Sequence, residues 1–281
     1  ELNKKDSKQL GSLGAGFSIQ KGVKTTVTIR NKTKHDISNF TIKVNGFESG
    51  DMRVSEVVLS KFSTKGKFVD IIHEIDVPVG YGFGCSAAVA LSLSIALNDA
   101  LECKLSKIKV AQIAHDVEIE CKTGLGDVLA SYHGGFEIRD KPGAPGIGHV
   151  QKITLDKISI IMICFSPIST SKFIKEKLSQ INGLGGKMVN ELLESKNYEH
   201  FQEMSLEFAK YVNVMTPRMQ KVVNQLSKNN IKCGIALFGE TIFSMVPKEK
   251  ENNVLEILEK FSDGIIIKSK LDDTGARILY N

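Results

Sequence analysis

The chain has 281 residues, enough for one large or two medium domains around a well-filled core. Its net charge of +5 is spread along the sequence without a basic run interleaved with aromatics, so nucleic acid is not an expected partner. No run of eighteen or more apolar residues is present, which argues against a membrane-spanning helix and a membrane partner, and no signal peptide is recognised.

Five widely spaced cysteines (Cys85, Cys103, Cys121, Cys164 and Cys233) lack any Cys-x-x-Cys pair. They predict free thiols in a reducing, cytoplasmic setting rather than disulfides or zinc. In chain order, residues 1–10 are polar and aperiodic and read as a mobile start. The segment Gly11-Ser12-Leu13-Gly14-Ala15-Gly16 precedes an alternating strand over 23–29, with Val23, Thr25, Val27 and Ile29 on one face. Strands are expected over 39–44 and 68–75, with a helix over 55–63 between them.

An apolar helix follows over 89–101, then a second over 105–120 with Ser106 as its N-cap. Next come Thr123-Gly124-Leu125-Gly126-Asp127, the pair Gly134-Gly135 and a strand over 136–139. Residues 141–148 hold the densest Pro/Gly content and predict a hinge between an N-terminal domain, 1–150, and a C-terminal domain, 151–281. Beyond it lie a strand over 158–165 and helices over 170–180, 186–195, 198–214 and 217–229, with Pro217 suited to a first turn. Strands at 235–238 and 242–246, a helix over 249–261 and strands at 264–267 and 276–279 complete an α+β chain. Its second half fits a ferredoxin-like outline with extra helices.

The stretch most charged with chemical meaning is Pro78-Val79-Gly80-Tyr81-Gly82-Phe83-Gly84-Cys85-Ser86-Ala87-Ala88. Three alternate glycines open straight into a helix, and free amides at a helix mouth attract a phosphate. The spacing is neither a Walker loop nor a dinucleotide fingerprint, and a plain turn before a core helix fits the glycines as well. Glu118 and Glu120, late in the next helix, offer hard oxygen ligands for a metal, or are simply solvated. Asp127 follows a glycine turn and reads as a helix cap or as a group aimed at a ligand. Arg139 reads as a strand-end surface residue or as a planar fork for a carboxylate. Ser12 reads as a turn serine or as a substrate contact, and His115 and His133 as packing residues.

The 78–88 segment resembles the second motif of the GHMP kinases, with Phe83 and Cys85 as mild departures. Ala111-x-x-Ala114-His115-x-x-Glu118, the Thr123–Val128 turn, Gly134-Gly135-x-x-x-Arg139, Gly143-Ala144-Pro145-Gly146, Gly275-Ala276-Arg277 and the Gly11–Gly16 segment are similar to its archaeal pantoate kinase branch. That resemblance spans nearly the whole chain. It implies a two-domain fold whose N-terminal half is like ribosomal protein S5 domain 2, and ATP-dependent phosphorylation of pantoate for coenzyme A synthesis. It further implies nucleotide contacts at Pro78, Gly80, Gly82, Phe83, Gly84, Cys85, Ser86 and Ala87, and Mg²⁺ on Ser86 and Glu118. Asp127 becomes the catalytic residue, the base or orienter of the primary hydroxyl, with Arg139 and Ser12 as substrate contacts.

The family pattern also carries an opening strand, expected upstream of Glu1, and a third glycine motif whose place residues 235–241 take in altered form. Homoserine, mevalonate or shikimate as acceptor, or a ligand-binding protein without turnover, are the alternatives, and a homodimer is compatible with the family.

Overall fold

The structure, a computed structural model, describes residues 6–47, 50–168 and 170–279. A short 3-10 turn (Ser7–Gln9) leads into β1 (Gly14–Phe17), β2 (Val23–Asn31), β3 (Phe40–Gly46), α1 (Arg53–Ser60) and β4 (Lys67–Ile75). β4 is the middle strand of a three-stranded sheet, antiparallel to β2 and parallel to β3. The sheet is therefore mixed, because α1 provides the crossover that a parallel pair needs.

On β2 the alternation is clean: Val23, Thr25, Val27 and Ile29 turn inward while Lys24, Thr26, Thr28 and Arg30 face water. That inner face meets α2 (Cys85–Ala100), α3 (Lys107–Cys121) and α1. α2 buries Ala87, Ala90, Leu91, Leu93 and Leu97 almost completely. An Ala/Leu-rich helix with a narrow surface can sit deep between sheet and helix in this way. Ser106 caps α3 as expected, its hydroxyl accepting from the Lys109 amide at 3.3 Å.

α4 (Asp127–His133) connects to β5 (Phe136–Lys141), which lies between β1 and β6 (His149–Ile153), antiparallel to both. Residues 141–148, expected as a hinge, instead form the connection of the β5–β6 hairpin. Ala144 there is fully buried and its amide donates to the Lys8 carbonyl at 2.8 Å. Pro/Gly density signals a turn, and the register on either side decides which kind.

The C-terminal half runs β7 (Ile158–Pro167), α5 (Thr170–Ser195), α6 (Tyr198–Tyr211), α7 (Pro217–Lys228), β8 (Gly234–Ala236), β9 (Gly239–Pro247), α8 (Glu251–Leu258) and β10 (Ile265–Lys270). Its sheet order is β10-β7-β9-β8 with every pair antiparallel, the ferredoxin-like arrangement, and α6 and α7 are the extra helices. α5 is one helix rather than the two expected. Its glycines read as a break, but they allow α6 to come close. A side chain on Gly185 would meet the Phe208 ring at 3.8 Å, and one on Gly183 the Tyr211 hydroxyl at 3.1 Å.

The strand expected over 276–279 is absent, since the Ala276 amide donates to Ser131 of α4 rather than to a ladder. One apolar cluster runs from Phe136 and Ile138 of β5 through Phe201 to Met162 and Phe243 of the C-terminal sheet. The two halves therefore share a core. Among the described residues no helix is long and apolar enough to cross a membrane.

Candidate active site

The segment between β4 and α2 takes a shape that the sequence makes affordable only to glycine. Gly80, Gly82 and Gly84 have φ of 86°, 87° and 63°, the left-handed region where a side chain is strained. Gly84 is the N-cap of α2, so the first amides of that helix, at Cys85, Ser86 and Ala87, have no acceptor one turn back. Phe83 packs on the core beneath, and Pro78 is buried under the loop. The Cys85 thiol turns inward toward the Pro78 carbonyl, and burial pushes its pKa up to about 12. Cys85 thus offers a ligand its amide rather than its sulfur.

The C-terminal hairpin clamps this loop. The Thr241 hydroxyl donates to the Tyr81 carbonyl at 2.8 Å, and the Ile168 amide donates to the Gly80 carbonyl at 3.0 Å. A side chain on Gly239 would fall 2.1 Å from the Tyr81 carbonyl group, and one on Gly82 would lie 3.0 Å from Ala236. Residues 235–241 hence act as the back plate of the glycine loop, a role that no local motif signals.

Two acids gather beside the helix mouth. The Ser86 hydroxyl donates to Glu118 at 3.2 Å, and the Thr123 hydroxyl donates to the other carboxylate oxygen at 2.5 Å. Glu118 is 2% exposed, and burial raises its pKa to about 7 against the lowering effect of Thr123. Glu120, two residues on, points to solvent and pairs with Lys61 at 2.6 Å.

Asp127 opens α4 on the cleft wall. Its pKa is raised by burial and pulled down by Arg139. A side chain on Gly84 would lie 3.4 Å from the Asp127 Cβ, and one on Gly124 would meet both Glu118 and Asp127 carboxylate oxygens, at 2.3 and 3.1 Å. Glycine at 124 lets the turn pass close against both acids.

A hydroxyl with one or two carboxylates is the hard oxygen set that a magnesium ion takes together with phosphate oxygens. Among the described residues no group of three or more His, Cys, Asp and Glu side chains forms a protein-only metal cage. Ser86 and Glu118 alone would leave most of such an ion's coordination to other oxygens.

A cleft of about 960 Å³ spreads from this point, lined by the glycine loop, the Gly11–Ser18 segment, Gly124–Asp127, Arg139 and the inner faces of α5 and α6. Arg139 is 9% exposed and pairs with Glu137, a fully buried acid on the same face of β5. Burial lifts the Glu137 pKa to about 7, with Arg139 opposing. Glu137 was not singled out in the sequence, although its i, i+2 spacing to Arg139 on a strand was the available signal.

The Nε of Arg139 has no acceptor. A side chain on Gly126 would fall 2.9 Å from that Nε and 2.7 Å from the Ser12 hydroxyl oxygen, so glycine there lets the backbone pack close against both groups. The chain ahead of Ser12 is anchored on α3. The Ser7 hydroxyl donates to Asp116 at 2.6 Å, and His115 contacts the Ser7 carbonyl at 3.2 Å, a packing role as expected. Pro78, Gly80, Gly82, Phe83, Gly84, Cys85, Ser86, Ala87, Glu118, Asp127, Arg139 and Ser12 thus all lie around one cleft and the helix mouth beside it.

Residues 52–135 match the family model described as the GHMP kinases N terminal domain. Over 254 residues the chain is 34% identical to a pantoate kinase of Methanocaldococcus jannaschii, covering 89% of this chain and 88% of that protein. A pantoate kinase of Thermococcus kodakarensis is 27% identical over 252 residues, with 88% and 83% covered. Among solved structures, a phosphotransferase related to the CoA biosynthesis pathway superposes with a TM-score of 0.85 at 25% identity, covering 96% of this chain and 90% of that one. L. major mevalonate kinase superposes at 0.71 with 13% identity over 96% and 97%, a likeness of fold alone.

Proposed function

The chain belongs to the GHMP kinases and, within them, to the pantoate kinases, and from that premise we propose how its cleft moves a phosphoryl group from ATP to the primary hydroxyl of pantoate. The product is 4-phosphopantoate, an intermediate of coenzyme A synthesis. Phosphoryl transfer asks a protein mainly to position the reactants and to stabilise spreading negative charge.

The amides from Gly80 to Ala87 supply donors for the β- and γ-phosphates at the positive end of α2. Pro78 and Phe83 anchor that loop from below. Ser86 and Glu118 would hold a magnesium ion, which would supply positive charge to offset that of the phosphates. Asp127 orients the pantoate hydroxyl and takes up its proton, and its raised pKa brings its basicity nearer to neutral pH. Arg139 and Ser12, which line the cleft beside Gly126, receive the pantoate carboxylate. We divide the chain near residue 150, within β6, into an ATP-binding half and a C-terminal half that shapes the loop.

The observation that carries this assignment is the closeness of Asp127 to Gly84, which puts a proton acceptor at the mouth of the phosphate-binding helix. ADP release with ATP and magnesium, measured over a panel of pantoate, homoserine, mevalonate and shikimate, tests it. Turnover should depend on pantoate, and equal or faster turnover of another acceptor rejects the substrate.

A further inference from the structure

β1 offers almost no side chains to its partner, and the register explains why. Gly14 stands opposite Arg139, and Gly16 opposite Glu137. A side chain on Gly14 would lie 2.6 Å from the Arg139 Nη2, and one on Gly16 would lie 3.2 Å from the Glu137 Oε1. The Gly-Ala-Gly run therefore opens a slot in the β1–β5 pair, and the slot houses an ion pair.

Alternation along β5 puts Glu137 and Arg139 on one face, and Nη1 of Arg139 donates to Oε1 of Glu137. Glu137 is fully buried and its Oε2 has no partner. A buried carboxylate is costly to keep, and this one does not itself line the cleft. What it does is fix a planar group. A guanidinium is rigid, so tying down Nη1 sets the direction of the opposite edge, Nε with Nη2. That edge runs past Gly126 and Gly14, both on the cleft wall, and it is the edge suited to a two-point grip on a carboxylate.

We propose that Glu137 is a positioning residue for substrate recognition: its Oε1 holds the Arg139 fork so that Nε and Nη2 face the acid group of the acceptor. This rests on the assignment of Arg139 to the pantoate carboxylate. The role is one of reach rather than of charge. Electrostatics alone point the other way, since an anion next to Arg139 weakens its pull on a second anion.

Two variants separate reach from charge. E137D keeps the negative charge but withdraws the oxygen by one methylene. E137Q keeps the reach and an acceptor oxygen but loses the charge. Steady-state kinetics on the full chain should show the KM for pantoate raised roughly 10- to 100-fold in E137D, the scale of a small misplacement. The kcat, the KM for ATP and the melting temperature should stay near wild type. E137Q should keep a pantoate KM close to wild type.

A KM increase in E137Q equal to or larger than that in E137D overturns the proposal, as does an unchanged E137D. R139A serves as the reference. If it leaves the pantoate KM unchanged, the carboxylate assignment of Arg139 fails and takes this inference with it. If R139A raises the KM while E137D does not, only the positioning role of Glu137 falls.

Discussion

The Ser86 hydroxyl donates to Glu118 at 3.2 Å although 32 residues separate them, and a second hydroxyl, from Thr123, holds the same carboxylate from the other side. The carboxylate is thereby fixed in place at the start of α2. Glu118→Gln should raise the magnesium concentration needed for half-maximal rate. Thr123→Val, which only loosens the carboxylate, should raise it about 10-fold, the scale for a residue that orients a ligand. Initial rates against magnesium at saturating ATP and pantoate provide the measurement. An unchanged half-saturation in Glu118→Gln removes that residue from the metal site.

Asp127→Asn keeps the shape of the side chain but takes away its capacity to accept a proton. Turnover should fall by roughly 10²- to 10⁴-fold, the usual contribution of a positioned acid-base group. Affinity for a non-hydrolysable ATP analogue should remain near wild type, because the loop amides are untouched. Full activity in this variant shows that the pantoate proton leaves by another route.

Gly82→Ala places a side chain at φ of 87°, 3.0 Å from Ala236 and 3.3 Å from the Gly239 amide nitrogen. The left-handed conformation alone costs about 1–2 kcal/mol, so the loop should shift. Nucleotide affinity should drop in calorimetric titration. The KM for pantoate should hold, since neither Arg139 nor Ser12 is among the nearest neighbours of Gly82. Unaltered nucleotide binding removes the Gly80–Gly84 loop from the phosphate site.

His73, 1% exposed, bridges Thr25 and Ser55 beneath α1 and α2, and burial lowers its pKa to about 4. The folded state keeps the ring neutral while the unfolded chain takes up a proton near pH 6.5. Above 6.5 neither state is charged there and the stability is fully present. Between 6.5 and 4 the unfolded chain binds more protons, and stability falls by at most about 3 kcal/mol. Thermal melts from pH 7.5 to 4.5 should show this slope. His73→Gln should flatten part of it, and an identical slope in the variant assigns the acid sensitivity elsewhere.

What could be read from the sequence divides by distance along the chain. The alternation of Val23 to Ile29, the Ser106 cap and the glycines at 80, 82 and 84 are local signals, and each stands where it was expected. β1 was not visible, because Gly14-Ala15-Gly16 has no strand propensity of its own and forms a strand by pairing with β5. Glu118 and Glu120 differ in burial only because one faces α2 and the other Lys61, and helical spacing alone did not separate them. The 141–148 turn has hinge-like composition, and only the pairing of its flanking strands makes it a hairpin. Gly239 was missed because it acquires its role from Tyr81, more than a hundred positions away, and Glu137 because its spacing to Arg139 gains meaning only with β1 laid against it.

That last contact reaches further than the loop itself. Gly239 touches the Tyr81 backbone so closely that no side chain fits between them, and Thr241 ties down the Tyr81 carbonyl. A fragment ending near residue 150 would carry every letter of the Pro78–Ala88 motif yet lack the mould that gives it its curve. The curve of that loop is therefore a joint product of both halves of the chain, although its letters all lie in the first.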